Sequence, residues 1–197
     1  MVTHLYLIRV FAAAACPFII QFVQAVNRVF RFVLMYKIFH KKKNQRRTWR
    51  KNDDVRVEHH PTEFNLQDFE LYQRYQKDWH NVESPISEIE YYEFLIESPV
   101  TTEILRYYSA GKLIGVGWID RLAELVSSVY FVFDPECVSR RLGVFSLLYE
   151  IEYTRFLDIR WLYLGYWVEN SPKMNYKADF QPAQILQNSL WIPFEAQ

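Results

Sequence analysis

The stretch from Val126 to Tyr166 constrains this chain more than any other. Val126–Phe133 (VSSVYFVF) is an apolar, β-branched and aromatic run that Asp134-Pro135 brings to a stop. A loop then delivers Arg140-Arg141-Leu142-Gly143, and Phe145, Leu148, Ile151 and Tyr153 follow at helical spacing over about Val144 to Leu157. Leu162–Tyr166, within a second aromatic run, reads as a buried strand. Short β-branched and aromatic runs bounded by proline and polar residues fit a pleated, half-buried surface, and a 3.6-residue period fits a helix face. Strand, basic loop with a glycine, helix, strand is a unit that needs one sheet with the helix packed on it. It also aims loop N–H groups and a helix N-terminus at one spot, which favours an anion there.

The upstream pattern extends the same sheet. Thr62, Glu63 and Asn65 offer caps for a helix over Phe64–Gln76, where Leu66, Phe69, Leu71 and Tyr72 recur at helical spacing. Ser84-Pro85 opens a second helix, with Ser87 and Glu90 as a capping-box pair and Ile89, Tyr92, Phe94 and Leu95 on one face; Pro99 ends it. Thr102–Tyr108 and Leu113–Leu122 are the arms of a hairpin turned by Ser109-Ala110-Gly111-Lys112, and Ala123-Glu124 turns again into Val126. The expected class is α/β (α+β), a mixed twisted sheet flanked by helices. At 197 residues the chain has length for one sizeable core, and with half its residues apolar and 18% aromatic it is not a disordered chain.

Zero formal net charge conceals an asymmetry. Residues 1–52 hold eleven Lys/Arg and no Asp or Glu, so residues 53–197 carry the other twelve Lys/Arg against all 23 acidic residues. Seven of the basic residues crowd into Lys41–Lys51. Val10–Val26 is uncharged and mostly apolar, near the lower limit for spanning a bilayer, with polar residues close on both sides. Three readings stay open for it: an apolar helix without an export role, a membrane-associating segment, or a targeting peptide, although residues 1–52 lack the serines of a transit peptide. Residues 1–43 are accordingly set apart as an atypical apolar and basic segment, and 44–197 as the catalytic domain. Two cysteines, Cys16 and Cys137, build no disulfide framework, and a reducing, cytoplasmic setting is the simplest reading.

The strand–loop–helix–strand unit resembles the way GNAT-type acyltransferases hold a phosphate-bearing acyl donor, and Arg140-x-x-Gly143-x-Phe145 is similar to their loop pattern Arg/Gln-x-x-Gly-x-Gly/Ala. More specific is LGYWVENSPKMNYKADFQP (Leu164–Pro182). Together with SSVYF, the DP followed by RxLGxxS, QRRTWRKN (Gln45–Asn52), YQKDWH and SPISEIEYYEFLIESPV, it resembles the aminoacyl-tRNA–protein transferases. These are the arginyltransferases and the bacterial aspartate/glutamate leucyltransferases of the N-degron pathway. The resemblance runs from about Asn44 to Gln187. Members usually open with a cysteine-rich, metal-binding segment; this chain has only Cys16 in that region, and one thiolate does not close a tetrahedral site. No metal and no cofactor is expected, and the N-terminal part reads as replaced, truncated or frame-shifted.

What the resemblance implies for residues is as follows. Arg140, Arg141 and Gly143 would cradle phosphates of the tRNA 3′ end; otherwise they form a solvated loop with a helix-start glycine. Arg46, Arg47 and Arg50, in a basic run with Trp49 inside it, would meet tRNA phosphates, with Trp49 able to stack on a base; otherwise the run is a solvated charge cluster. Lys173, Asn175, Tyr176 and Lys177 would hold the carboxylate of an acceptor's N-terminal Asp or Glu. Relatives often carry arginines where this chain has Asp179 and Gln181, which removes two positive charges from that turn. Tyr166 and Asp134 are the candidate proton-transfer groups, with Asp120 and Glu150 as further carboxylates. Cys137 lacks a histidine partner in the pattern and is not expected to be a nucleophile.

The implied reaction is attack of a protein's N-terminal amine on an aminoacyl-tRNA ester, leucyl first and arginyl second, by a monomer with no obligatory membrane partner. A backbone N–H from the strand before the Arg140 loop would stabilise the oxyanion. The alternative is a non-catalytic or degenerate paralogue that binds acidic N-termini or RNA. A coenzyme A-dependent N-acetyltransferase is disfavoured by YLGYW and SPKMNYKA.

Overall fold

The computed structural model describes residues 29–35, 38–168, 174–187 and 190–194. Eight strands form one sheet in the order β2-β3-β4-β5-β6-β1-β7-β8. They are β1 (Val29–Met35), β2 (Arg56–Pro61), β3 (Thr101–Ser109), β4 (Lys112–Arg121), β5 (Leu125–Phe133), β6 (Trp161–Val168), β7 (Ala183–Gln187) and β8 (Leu190–Phe194). All neighbours are antiparallel except β5 and β6, which run parallel, as a helical crossover between consecutive strands demands. The crossover is α4 (Leu142–Phe156); the other α-helices among the described residues are α1 (Lys43–Lys51), α2 (Leu66–His80) and the short α3 (Glu88–Tyr91), which widens into a π-helical turn over Tyr92–Ile96. The mixed sheet flanked by helices is the expected class.

Local chemistry explains most boundaries. Ala110 and Gly111 take φ of +49° and +79° in the two-residue turn between β3 and β4, a conformation glycine adopts freely. Asn65 caps α2, its side chain accepting from the N–H groups of Gln67 (2.9 Å) and Asp68 (3.4 Å). Ser87 and Glu90 make the expected capping box, but helix starts at Glu88 rather than at Ser84. The expected apolar face is rotated as well. The wider turn after Tyr91 buries Tyr91, Leu95 and Ile96 and leaves Ile89 and Tyr92 exposed. In the core, Trp118, Tyr107, Ile104, Leu105 and Leu148 are fully buried between sheet and helices. Arg106 on β3 reaches Asp68 on α2, its Nε 3.0 Å from both carboxylate oxygens, with both side chains almost wholly out of water.

Two placements differ from the sequence reading. Residues 29–35 are the strand that pairs with β6 on one side and β7 on the other, so the sheet reaches across a boundary set at 43/44. The basic run over Lys43–Lys51 is helix α1. Thr48 is buried and Trp49 packs on Phe145 of α4 at 5.4 Å between ring centres, with the Lys41 ammonium 4.5 Å over its face. The readings of Val10–Val26 lie outside the described residues. Among the described residues no helix is long and apolar enough to cross a membrane.

Candidate active site

The parallel pairing of β5 with β6 covers only Leu125–Ser127 against Trp161–Tyr163. Beyond it the strands part, although β5 continues to Phe133 and β6 to Val168. On its other edge β5 carries a bulge. Trp118 faces Tyr130 and Ile119 faces Ser128, so Val129 is the extra residue. A bulge turns the strand and re-aims its backbone groups, a device common beside active sites. The gap opens into a cavity of about 390 Å³.

Its walls come from Ser128–Phe131 of β5, Leu164–Tyr166 of β6, the first turns of α4, the end of α2 and the 3-10 turn Asn175–Asp179. Apolar side chains dominate: Trp79, Phe131, Phe133, Val144, Leu147 and Leu164 all contribute. Gln76 donates to the Tyr130 hydroxyl at 2.8 Å and so fixes that ring in the wall. Ser146 donates to the Gly143 carbonyl at 3.1 Å, and of the first-turn N–H groups of α4 that of Val144 is already given to the Arg141 carbonyl, which leaves those of Leu142 and Gly143 at the helix start.

Arg141 and Gly143 line the cavity, and Arg140 does not. The adjacent arginines separate because Arg141 takes φ of +57°, which reverses the chain at the start of α4; its carbonyl accepts from the N–H groups of Val144 and Phe145, each at 3.0 Å. Arg141 is exposed. Arg140 turns the other way and clamps Asp54 in a bidentate pair of 2.8 and 3.0 Å, with Ser109 Oγ 3.1 Å from the same guanidinium. The Arg140 and Ser109 hydrogen bonds pull the Asp54 carboxyl down to about 2. Helix α1 holds this loop from behind: Lys51 donates to the Ser139 carbonyl (2.8 Å) and Asn52 to that of Arg140 (2.9 Å). Arg46, Arg47 and Arg50 are exposed on α1.

Tyr176, Lys177 and Tyr166 reach the cavity, Asn175 is exposed on the same turn, and Lys173 lies outside the described residues. The Tyr176 hydroxyl sits 3.9 Å from where a Cβ on Gly143 would be, an ordinary van der Waals contact. Burial pushes the Tyr176 hydroxyl well above its ordinary pKa. Asp179 forms an ion pair with Lys42 at 3.0 Å, which ties the turn to the start of α1.

Asp134 is not part of the cavity wall. It caps the 3-10 turn Pro135–Arg140, accepting from the Glu136 N–H at 3.1 Å, and pairs with Lys112 at 2.8 Å. Burial raises its carboxyl, but Lys112, the Glu136 N–H and Arg74 together bring it below the ordinary value. Asp120 does line the cavity and accepts from Thr102 Oγ1 at 2.5 Å. Burial raises the Cys137 thiol, which leaves it protonated and a poor nucleophile.

Sequence reasoning underrated the pair Glu150 and Lys177. Burial pushes the Glu150 carboxyl up to about 8 and pulls the Lys177 ammonium down to about 8, each partly offset by the other. Neither Glu150 oxygen has a hydrogen-bond partner of full geometry; Ser128 is close enough to favour its ionised form without meeting that geometry. A glutamate amid Leu147, Leu148 and Ile151 in a helix core was the available signal.

A family model described as arginine-tRNA-protein transferase, C terminus, matches residues 67–187. Three bacterial proteins named aspartate/glutamate leucyltransferase are similar in sequence. That of Hahella chejuensis is 33% identical over 156 residues, 78% of this chain and 67% of the relative. Those of Gluconacetobacter diazotrophicus and Teredinibacter turnerae are 36% and 37% identical, over 78% and 76% of this chain and 60% and 63% of theirs. The chain thus spans about two thirds of these relatives or somewhat less. Two solved structures share the fold at 10% identity and a TM-score of 0.52. L-PGS from Bacillus licheniformis matches over 74% of this chain and 48% of its own. The C-terminal domain of a putative lysylphosphatidylglycerol synthetase from Agrobacterium fabrum matches over 74% and 50%. With more than half of its residues under the family model and the unzipped strand pair at the centre of the matched region, this chain belongs to the arginine-tRNA-protein transferase C-terminus family.

Proposed function

We propose that the cavity between β5 and β6 is an aminoacyl-transfer site, at which the α-amine of an acceptor protein attacks the ester of an aminoacyl-tRNA. The observation that carries this reading is the open strand pair, which brings β5 backbone groups beside the start of α4 with exposed Arg141 at the same place. The tRNA 3′ phosphates would lie against the first turn of α4, where N–H groups and the helix dipole favour an anion. Gly143 allows close approach there, and Arg141 supplies the free charge, since Arg140 is committed to Asp54. Arg46, Arg47 and Arg50 would extend the contact along α1, whose end holds the Arg140 loop. A β5 N–H at the Val129 bulge would receive the oxyanion.

Leucine is the preferred donor group and arginine the second choice. Largely apolar walls suit a branched aliphatic side chain and offer a guanidinium little. Tyr166, Asn175, Tyr176, Lys177 and Lys173 are the groups proposed for the acceptor side, an N-terminal Asp or Glu. Tyr166, which lines the cavity, would pass the proton that the amine loses toward the departing ribose oxygen. Transfer of this kind would mark proteins for degradation in the N-degron pathway, in the cytoplasm. Asp134 takes no step in this scheme.

The test is to incubate the protein with leucyl- and arginyl-tRNA and an Asp- or Glu-led peptide, then weigh the peptide. A gain of one leucine is expected. A gain of one arginine reverses the donor order. No gain with either, together with retained peptide or RNA binding, favours a non-catalytic paralogue.

A further inference from the structure

Lys177 sits where a hydrogen-bonded strand would be expected. Past Tyr163 the carbonyls of Leu164 and Tyr166 accept not from β5 amides but from one ammonium, at 2.6 and 3.0 Å. Gly165 lies between them with φ of +72°. A Cβ there would meet Ser128 O at 3.5 Å and Lys177 Nζ at 3.9 Å, so there is space for it, and the backbone conformation is what calls for glycine. Lys177 reaches this point from the 3-10 turn Asn175–Asp179, and Glu150 on α4 partly offsets the effect of burial on its ammonium.

A buried strand carbonyl needs a donor, and a neighbouring strand is the usual source. An ammonium offers three N–H donors and makes charge-assisted bonds that outcompete a neutral amide. Two of those donors are spent on β6, which leaves one for an acceptor's carboxylate and makes the hold on the strand the larger part of the residue's work.

We propose that Lys177 is a positioning residue that holds the β5–β6 gap open, by occupying the Leu164 and Tyr166 carbonyls so that β6 does not pair with β5 beyond Ser127 and an acyl group can lie between the strands at Ser128 and Val129. It works with Gly165, whose rotated backbone presents both carbonyls to a single ammonium. The proposal rests on the transferase reading for its function, but the gap itself is a structural claim that stands without it.

Lys177→Met and Lys177→Gln remove the ammonium while keeping an unbranched side chain. In either variant the two strands should draw together, and amide hydrogen exchange over residues 128–131 should slow about tenfold or more, with the β3–β4 hairpin unchanged. With leucyl-tRNA and a Glu-led peptide, kcat should fall about 100-fold while the donor KM barely moves, because misplacement rather than lost affinity is the defect. Lys177→Arg keeps charge and donors and should recover most of kcat and the wild-type exchange. Exchange that is unchanged or faster in both neutral variants overturns the proposal, and so does a loss confined to the acceptor KM. A wild-type protein that transfers no amino acid would remove the transferase reading, and the exchange comparison would still decide the role of Lys177.

Discussion

From β2 to β5 the sheet is zipped: the strands stay paired along their lengths, β3 with β4 from Thr101–Arg121 to Ser109–Lys112, with one register shift at Tyr107/Tyr108 and the Val129 bulge between β4 and β5. Between β5 and β6 the ladder stops at Ser127 and Tyr163 while both strands run on. The zipped half is anchored by apolar burial and by the Arg106–Asp68 pair, far out of water. The open junction is lined by a lysine, a buried glutamate, a rotated glycine and an exposed arginine. A sheet satisfies its backbone groups with itself, so a cavity between neighbouring strands exists only where that satisfaction is withheld and supplied by a side chain instead.

The sharpest way to break the comparison is at the zipped half. Arg106→Met should strand the Asp68 carboxylate and cost about 3–5 kcal/mol in urea denaturation, since one partner of a buried pair is lost. The cavity should survive at low temperature. If the loss is under about 1 kcal/mol, the half does not depend on that pair in the way argued.

At the junction, Glu150→Gln should act in the opposite sense. The unfolded chain ionises this group near 4.5, whereas the folded protein keeps the proton to about 8. The wild type therefore loses stability as pH rises across that window, and the glutamine variant does not. Melting curves from pH 5 to 8 should show the variant gaining on the wild type by an amount on the order of a few kcal/mol. Parallel curves would mean that Glu150 stays ionised throughout.

The two adjacent arginines allow a finer test. Arg141→Gly keeps the left-handed backbone and removes one charge-assisted contact, so donor affinity should fall roughly 10- to 150-fold, about 1.5–3 kcal/mol. Its salt dependence should become shallower. Arg140→Ala should alter transfer less and cost about 0–1 kcal/mol of stability through Asp54. Reversed ranks would return the phosphate contact to Arg140. The smallest effect is expected at the start of α2, where Asn65→Ala should cost about 1 kcal/mol by calorimetry and leave transfer intact.

Much of the zipped half was legible because its signals are local. Alternation in β3 and β4, the Ala110-Gly111 turn, the Ser87–Glu90 box and the Val126–Phe133 run each announce themselves within a few residues. β2 was not legible: Arg56–Pro61 has two histidines, a terminal proline and an edge position, so nothing in it reads as apolar alternation. β1 lies in a basic apolar tract without turn residues to bound it, and β7 and β8 are five residues each. In the site, Gly143, Tyr166, Tyr176 and Lys177 were placed together by the family resemblance. That Arg140 would turn to Asp54 was not legible, because the partner is 86 positions away and the choice between two neighbouring arginines rests on one backbone angle. Lys177 was read as a holder of the acceptor's carboxylate, because a pattern of residues does not report which strand carbonyls a lysine will reach.

The position of β1 bears on how the protein is made. It is translated before every strand it pairs with: Val29 meets Val168, and Arg31 meets Leu186. At about 5–20 residues per second, it leaves the ribosome roughly 7–30 s before its place in the sheet exists. The β2–β5 meander can assemble in that interval from contacts between neighbours in the chain, whereas an apolar strand waits uncovered. Folding therefore finishes at the β5–β6 junction, and a nascent chain stopped short of β6 would have a good part of its core and no cavity at all.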